Sequence, residues 1–319
     1  MIKPHGVNVY MKRLFTFTVF ISTMLTLGGS LSWAAPKGSP WNQEYFPNVT
    51  LTDQDGKSHR FYDDLLKDKV VAINFIYTHC GDTCPAETAS LRQVQRLLGD
   101  RVGKDIFFYS ISIEPDHDTP KVLKEYADKF RANPGWLFLT GSKEDTTLIR
   151  KKLGLYRDDV DASKLSEHST SFMVGNERTG QWMKRSPFDE PKTLAWIMGY
   201  SLSNTKPSRN PNKANYAEAK QLPKMSKGED IYRFRCASCH SLGKEDGLGP
   251  GLQGVTKMRE NAWLSRWIKE PDKMLAEKDP IAIDLYNRYN KILMPNLRLN
   301  DADVKAVIDY IEENSNTAK

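Results

Sequence analysis

The stretch VVAINFIYTHCGDTCPAETASLRQVQRLL, residues 70–98, decides the fold of the first half of this 319-residue chain. Its first nine residues are a nearly continuous apolar run rich in β-branched and aromatic side chains, which predicts a central strand covered on both faces. After Pro85, Leu91, Val94 and Leu97 or Leu98 recur at helical spacing, so a helix follows. Cys80 and Cys84 fall where that strand meets that helix. Loops outside the carboxyl ends of strands are where α/β sheets bind ligands, and a helix N-terminus favours a thiolate through its dipole. The spacing sets the two sulfurs one helical turn apart, able to bond to each other or to chelate one soft ion. A structural disulfide, a redox pair and half of a metal site all stay open. So short a loop closes little chain, which weighs against a purely structural bond.

Upstream, VTLTDQDGKSHRF alternates around Asp55-Gly56 and predicts a hairpin. Downstream, IFFYSISI reads as a second buried strand, TPKVLKEYADKF as a helix with Thr119 as N-cap and Pro120 at its first position, and WLFLTG as a third strand. DTTLIRKKLGL reads as a third helix and TSFMVGNERTGQWMKR as a closing hairpin. Strands alternating with helices and ending in a hairpin give an α/β domain of thioredoxin-like order. Thioredoxin-type oxidoreductases place a cis-proline opposite their cysteine pair, yet this chain has no proline between Pro134 and Pro187. A general dithiol oxidoreductase is thereby disfavoured.

At the N-terminus, Lys12 and Arg13 precede the apolar run Leu14–Leu27, and Ser32-Trp33-Ala34 offers small residues for a signal peptidase. The run is short for a span of about 20 residues. Residues 1–34 therefore read as a cleaved secretory signal, with an uncleaved anchor as the alternative and the only route to a membrane. The expected location is the periplasm, where disulfides persist and heme is attached covalently. The net charge of +6 is scattered among acidic residues without basic tracts, and no nucleic-acid site is read from it. Residues 201–223 are polar and rich in Pro and Asn, and read as a linker. Two domains are expected, over 42–200 and 224–319.

The second domain carries CASCH, residues 236–240. This is the attachment motif of c-type heme: Cys236 and Cys239 form thioethers and His240 is an axial iron ligand. LGPGLQGV at 248–255 places Pro250 like the proline whose carbonyl orients that histidine, and AWLSRWI reads as a helix beside the heme. Met294 stands before Pro295 and an amphipathic last helix. The segment resembles a class I cytochrome c, a small all-α domain, and that resemblance implies Met294 as the second axial ligand, with Met258 and Met274 as poorer candidates. A Met/His pair raises the reduction potential and closes the iron to substrate, so one covalent heme c for electron transfer is expected.

The first domain resembles the Sco (SenC-type) copper chaperones of cytochrome c oxidase assembly. The resemblance rests on FIYTHCGDTCP, SISIEPDHDTPKVLKEYADKF, WLFLTGS and EHSTSFMVGNERTG, in that order. It implies one copper ion held by Cys80, Cys84 and His168, and the copper-bearing subunit of cytochrome c oxidase as partner, with other periplasmic redox proteins beside it. Gly81, Glu114 and His117 depart from the family's usual proline, aspartate and arginine. The residues point the same way, since two thiolates and an imidazole suit Cu(I) and, with an added ligand, Cu(II). His79 competes with His168 as third donor but is expected to turn away from the thiols. His59 and His117 are expected on the surface without partners. Three functions are compatible with this reading: a copper chaperone, a thiol-disulfide reductase in which Cys80 and Cys84 are catalytic redox thiols fed through the heme, and an electron carrier whose first domain is only an interaction module.

Overall fold

The computed structural model of the protein describes residues 40–81, 83–156, 171–203 and 224–315. The signal segment, His168 and nearly all of the expected linker lie outside these residues. Among the described residues no helix is long and apolar enough to cross a membrane.

The first domain begins with the hairpin β1 (Thr50–Asp53) and β2 (Ser58–Arg60), paired antiparallel with Thr50 opposite Arg60. Gly56 turns it at φ +82°, a left-handed conformation that glycine adopts without cost. Asp53 holds the turn by accepting the backbone N–H groups of Asp55 and Lys57, each at 2.9 Å. His59 corrects the expectation of a partnerless surface residue, because its Nε2 lies 2.7 Å from Asp53 Oδ2 and its side chain is largely buried. After a π-helical turn at Phe61–Leu66 come β3 (Val70–Ile76), α1 (Cys84–Leu98), β4 (Ile106–Ser112), α2 (Pro120–Lys129), β5 (Trp136–Thr140) and α3 (Lys143–Lys152). The closing hairpin is β6 (Phe172–Asn176) and β7 (Gln181–Arg185), followed by α4 (Pro191–Trp196) and a π-helical turn to Ser201.

The seven strands form one sheet in the order β2-β1-β5-β4-β3-β6-β7. Strands β3, β4 and β5 are parallel, and β1 and β6 pair antiparallel with them. Every residue of β3 is buried, as a continuous apolar run predicts. Side chains alternate across a strand, so Val70, Ala72 and Ile76 join Leu91, Val94, Leu98, Leu123 and Leu194 on one face. Val71, Ile73 and Phe75 join Leu51, Phe61, Leu65 and Ile149 on the other. Helix α1 buries Leu91 and Val94 and leaves Leu97 exposed. The core extends into the polar segment read as linker: Leu202 is buried with these helices, and its carbonyl accepts from the Asn176 amide at 2.5 Å.

The described second domain has helices as its only regular structure. Ser226 caps α5 (Lys227–Ile231), which continues as a π-helical turn to Cys236. Then come α6 (Val255–Met258), α7 (Asn261–Lys269), α8 (Pro271–Ala276), α9 (Pro280–Arg288) and α10 (Asp301–Ser315). Its core gathers Ile231, Tyr232, Leu264, Ile268 and the Val304, Val307, Ile308 and Ile311 face of α10. The fold is thus an α/β thioredoxin-like domain followed by a small all-α domain of cytochrome c type.

Candidate functional site

The chain has two candidate centres, one at each cysteine pair. Cys80 ends the turn after β3, its N–H bonded to the Tyr77 carbonyl at 3.2 Å, and Cys84 opens α1. Both are buried, at 3% and 0% exposure, and neither is in a disulfide. A hydrogen bond between the two thiols, followed by burial, holds the Cys84 thiol well above its ordinary pKa. The metal-free pair therefore keeps at least one proton at neutral pH, despite the dipole of the helix it opens.

A buried polar chain crosses from β5 to β3. The Trp136 indole N–H donates to Ser110 Oγ at 2.9 Å, and that hydroxyl donates to Asn74 Oδ1 at 2.7 Å. Asn74 and Ser110 are register partners on the parallel β3–β4 pair, which is why their side chains meet. One turn along α1, burial pushes the Glu87 carboxyl well above the ordinary carboxylate range, against the opposing pull of the Asn74 amide. Nothing in the sequence pattern flags Glu87 except its position three residues after Cys84.

His79 is half-exposed and faces Glu114, while the adjacent Cys80 is buried; both lie in the turn after β3, so the turn and not strand alternation separates them. His117 corrects the expectation of a partnerless residue: its Nδ1 lies 2.9 Å from Asp118 Oδ1. That hydrogen bond raises the His117 pKa above its ordinary value. The adjacency of His117 to Asp118 was the available signal, and the fold adds His79 to it.

In the second domain the CASCH turn is closed by the His240 N–H bonding to the Cys236 carbonyl at 3.0 Å, and by the Tyr232 hydroxyl donating to the His240 carbonyl at 2.9 Å. His240 Nδ1 lies 2.9 Å from the Pro250 carbonyl. A carbonyl only accepts, so Nδ1 carries the proton and Nε2 is left as the ligand nitrogen. Burial lowers the pKa of His240, which keeps the ring neutral. Gly249 is required beside it, since a Cβ there would sit 2.6 Å from His240 Cε1. A small apolar pocket opens from this ring and is lined by Cys239, His240, Trp267, Tyr286 and Met294. Met274 is instead buried beneath it with Trp267 and Ala282, and Met258 is exposed. An apolar slot with a neutral imidazole and a thioether on its walls, entered from a paired-cysteine turn, fits a covalently bound heme.

The two domains touch. The Gln93 amide on α1 donates to the Ala237 carbonyl at 2.7 Å, and the Arg235 guanidinium lies 3.8 Å over the Phe188 ring. Leu248 is buried with the first domain's core, and a methyl at Gly81 would lie 4.0 Å from Leu293.

Fold and sites define a class: a thioredoxin-like dithiol domain carrying a cytochrome c domain in the same chain. Residues 39–196 match the SCO1/SenC family model and residues 225–315 match that of cytochrome c. An SCO2-like protein of Rickettsia felis is 31% identical over 150 residues, which cover 45% of this chain and 70% of that protein. The SCO1 protein homolog of Bacillus subtilis is 27% identical over 159 residues, covering 47% and 80% respectively. A solved cytochrome c domain from Pseudomonas putida is 53% identical, with a TM-score of 0.26, and spans 28% of this chain and 87% of its own. The chain belongs to the SCO1/SenC family through its first domain, and its second is a class I cytochrome c domain.

Proposed function

We propose that this chain is a periplasmic copper-binding protein that supports assembly of the copper site of cytochrome c oxidase, with its heme domain serving electron transfer. The observation that carries this reading is the buried, disulfide-free Cys80–Cys84 pair at the end of β3 in a SCO1/SenC domain. Copper is the cargo, bound by Cys80, Cys84 and His168 and passed to the oxidase's copper-bearing subunit. Two thiolates and an imidazole match Cu(I), which accepts soft ligands and low coordination numbers. The ligands must be deprotonated, so loading releases the proton that Cys84 holds.

In the second domain Cys236 and Cys239 would hold the heme covalently, and His240 and Met294 would ligate its iron. When bound, the heme supplies a one-electron centre. The Pro250 carbonyl fixes the tautomer and orientation of His240, and Trp267 and Tyr286 wall the slot. On this reading residues 1–34 are a signal, and the unpatterned segment up to residue 223 joins domains that remain in contact through α1.

A thiol-disulfide reductase acting on the oxidase's cysteines is the second reading, favoured by the hydrogen bond between the two thiols. A dithiol exchanges two electrons and a heme one, a mismatch that copper, itself a one-electron centre, would remove. Titration of the reduced, heme-loaded chain with Cu(I) separates the two. The chaperone reading expects one tight Cu(I) per chain, abolished in Cys84→Ser and weakened in His168→Ala. No tight Cu(I) binding, together with ready cycling of Cys80 and Cys84 against an oxidase-derived disulfide, transfers the function to the reductase.

A further inference from the structure

Beside the thiol turn, and separate from it, the fold gathers four cation-binding groups. One ligand atom from each of His79, Glu114, His117 and Asp118 lies within 4.8 Å of the others. The two imidazole rings stand 4.7 Å apart between centroids, inclined at 64°. Their side chains are 51% and 50% exposed, so an ion reaches them directly from solvent.

The groups are held in place from behind. Asp118 is fully buried, and its carboxylate accepts the Thr78 hydroxyl at 2.6 Å, the Thr78 N–H at 3.2 Å and the Ser112 hydroxyl at 2.6 Å. With both oxygens engaged, Asp118 orients His117 by accepting its Nδ1–H at 2.9 Å and leaves Nε2 for a ligand. Carboxylate-backed histidines of this kind are the usual outer shell of a metal site. Glu114 is anchored through its N–H to Ser112 Oγ at 3.0 Å. Its Oε2 is buried, accepts no hydrogen bond, and faces His79 Nδ1 at 3.1 Å, so carboxylate and imidazole converge on one point. A convergent, under-bonded acceptor of this kind has a lone pair to give to an ion.

We propose that His79, His117 and Glu114, with Asp118 behind His117, form a second cation site for a borderline divalent ion, Zn(II) or Cu(II), distinct from the Cys80–Cys84 pair. The donors decide the class. Imidazole nitrogen with carboxylate oxygen suits Zn(II) and Cu(II) and lacks the thiolates that Cu(I) prefers. Mg(II) and Ca(II) ask for a nearly all-oxygen shell. This site goes beyond the proposed function and stands even if Cys80 and Cys84 bind no copper.

The test uses full-length, heme-loaded protein carrying Cys80→Ser and Cys84→Ser, titrated with Zn(II) alone. One Zn(II) per chain is expected, with affinity falling at least about tenfold in His117→Ala and in Glu114→Gln. The ring resonances of His79 and His117 should move together on Zn(II) addition, a readout that needs no further variant. Absence of stoichiometric uptake, ring resonances that stay still, or uptake that follows His168 instead of His117 would overturn the site.

Discussion

At the scale of single residues, protons and close approaches set what the two cysteine motifs can do. Cys84 holds its proton because the other thiol and the surrounding core disfavour the thiolate. If Cu(I) loads through that thiolate, its apparent affinity rises with pH across the neutral range, by about tenfold per pH unit for each proton released. Competition with a Cu(I) chelator at several pH values measures this, and a flat profile would mean that Cys84 is already ionised. In the second domain, Gly249→Ala forces a methyl into the space of the His240 ring. The heme-loaded variant should show altered axial ligation in its visible spectrum and a shifted reduction potential, with α10 still folded. Some of this was readable in advance: the CASCH motif and Pro250 announce the histidine's orientation. The contact of His59 with Asp53 was not, because it joins residues on two strands of a hairpin whose register only the folded turn fixes.

At the scale of elements, the apolar run of β3 and the cap and proline that begin α2 were plain in the sequence, and both form where the pattern puts them. The same cap-and-proline signal stands at Asp279-Pro280, where Asp279 accepts the N–H groups of Ile281 and Ala282 at 3.1 and 2.9 Å. Helix α9 was therefore legible, though its periodicity is too short to attract notice. Helix α1 carries an element-level liability in Glu87. A carboxyl whose folded pKa is raised binds more protons folded than unfolded, so stability is greatest below the unfolded value and is lost as pH rises toward the folded one. The unfolding free energy from urea titrations should fall as pH rises above about 4.5, by up to about 1.4 kcal/mol per pH unit from this group. Glu87→Gln should remove that slope. Leu91→Ala, from the fully packed face of the same helix, should cost about 2–5 kcal/mol at any pH in this range.

At the scale of the whole molecule, the sequence announces two domains and a polar segment between them but is silent on whether they meet. Contact depends on surface shape, which periodicity does not encode. Gln93 and Arg235 were unremarkable polar residues until the fold brought them to Ala237 and Phe188. The cation–π contact of Arg235 should contribute about 0.5–2 kcal/mol to docking. Arg235→Ala should therefore speed amide hydrogen exchange along the Gln93 stretch of α1 and across the CASCH turn, with unchanged exchange in the central strands. Unaltered exchange at both places would mean that the guanidinium does not hold the domains together. The near approach of Leu293 to Gly81 has a consequence for any visiting protein. On the proposed function, whatever reaches in for the sulfurs would pass beside the cytochrome, so a partner would be inspected by both halves at once. Cargo and electrons would then share a single doorway, and a change that widens or narrows it for one alters the traffic of the other.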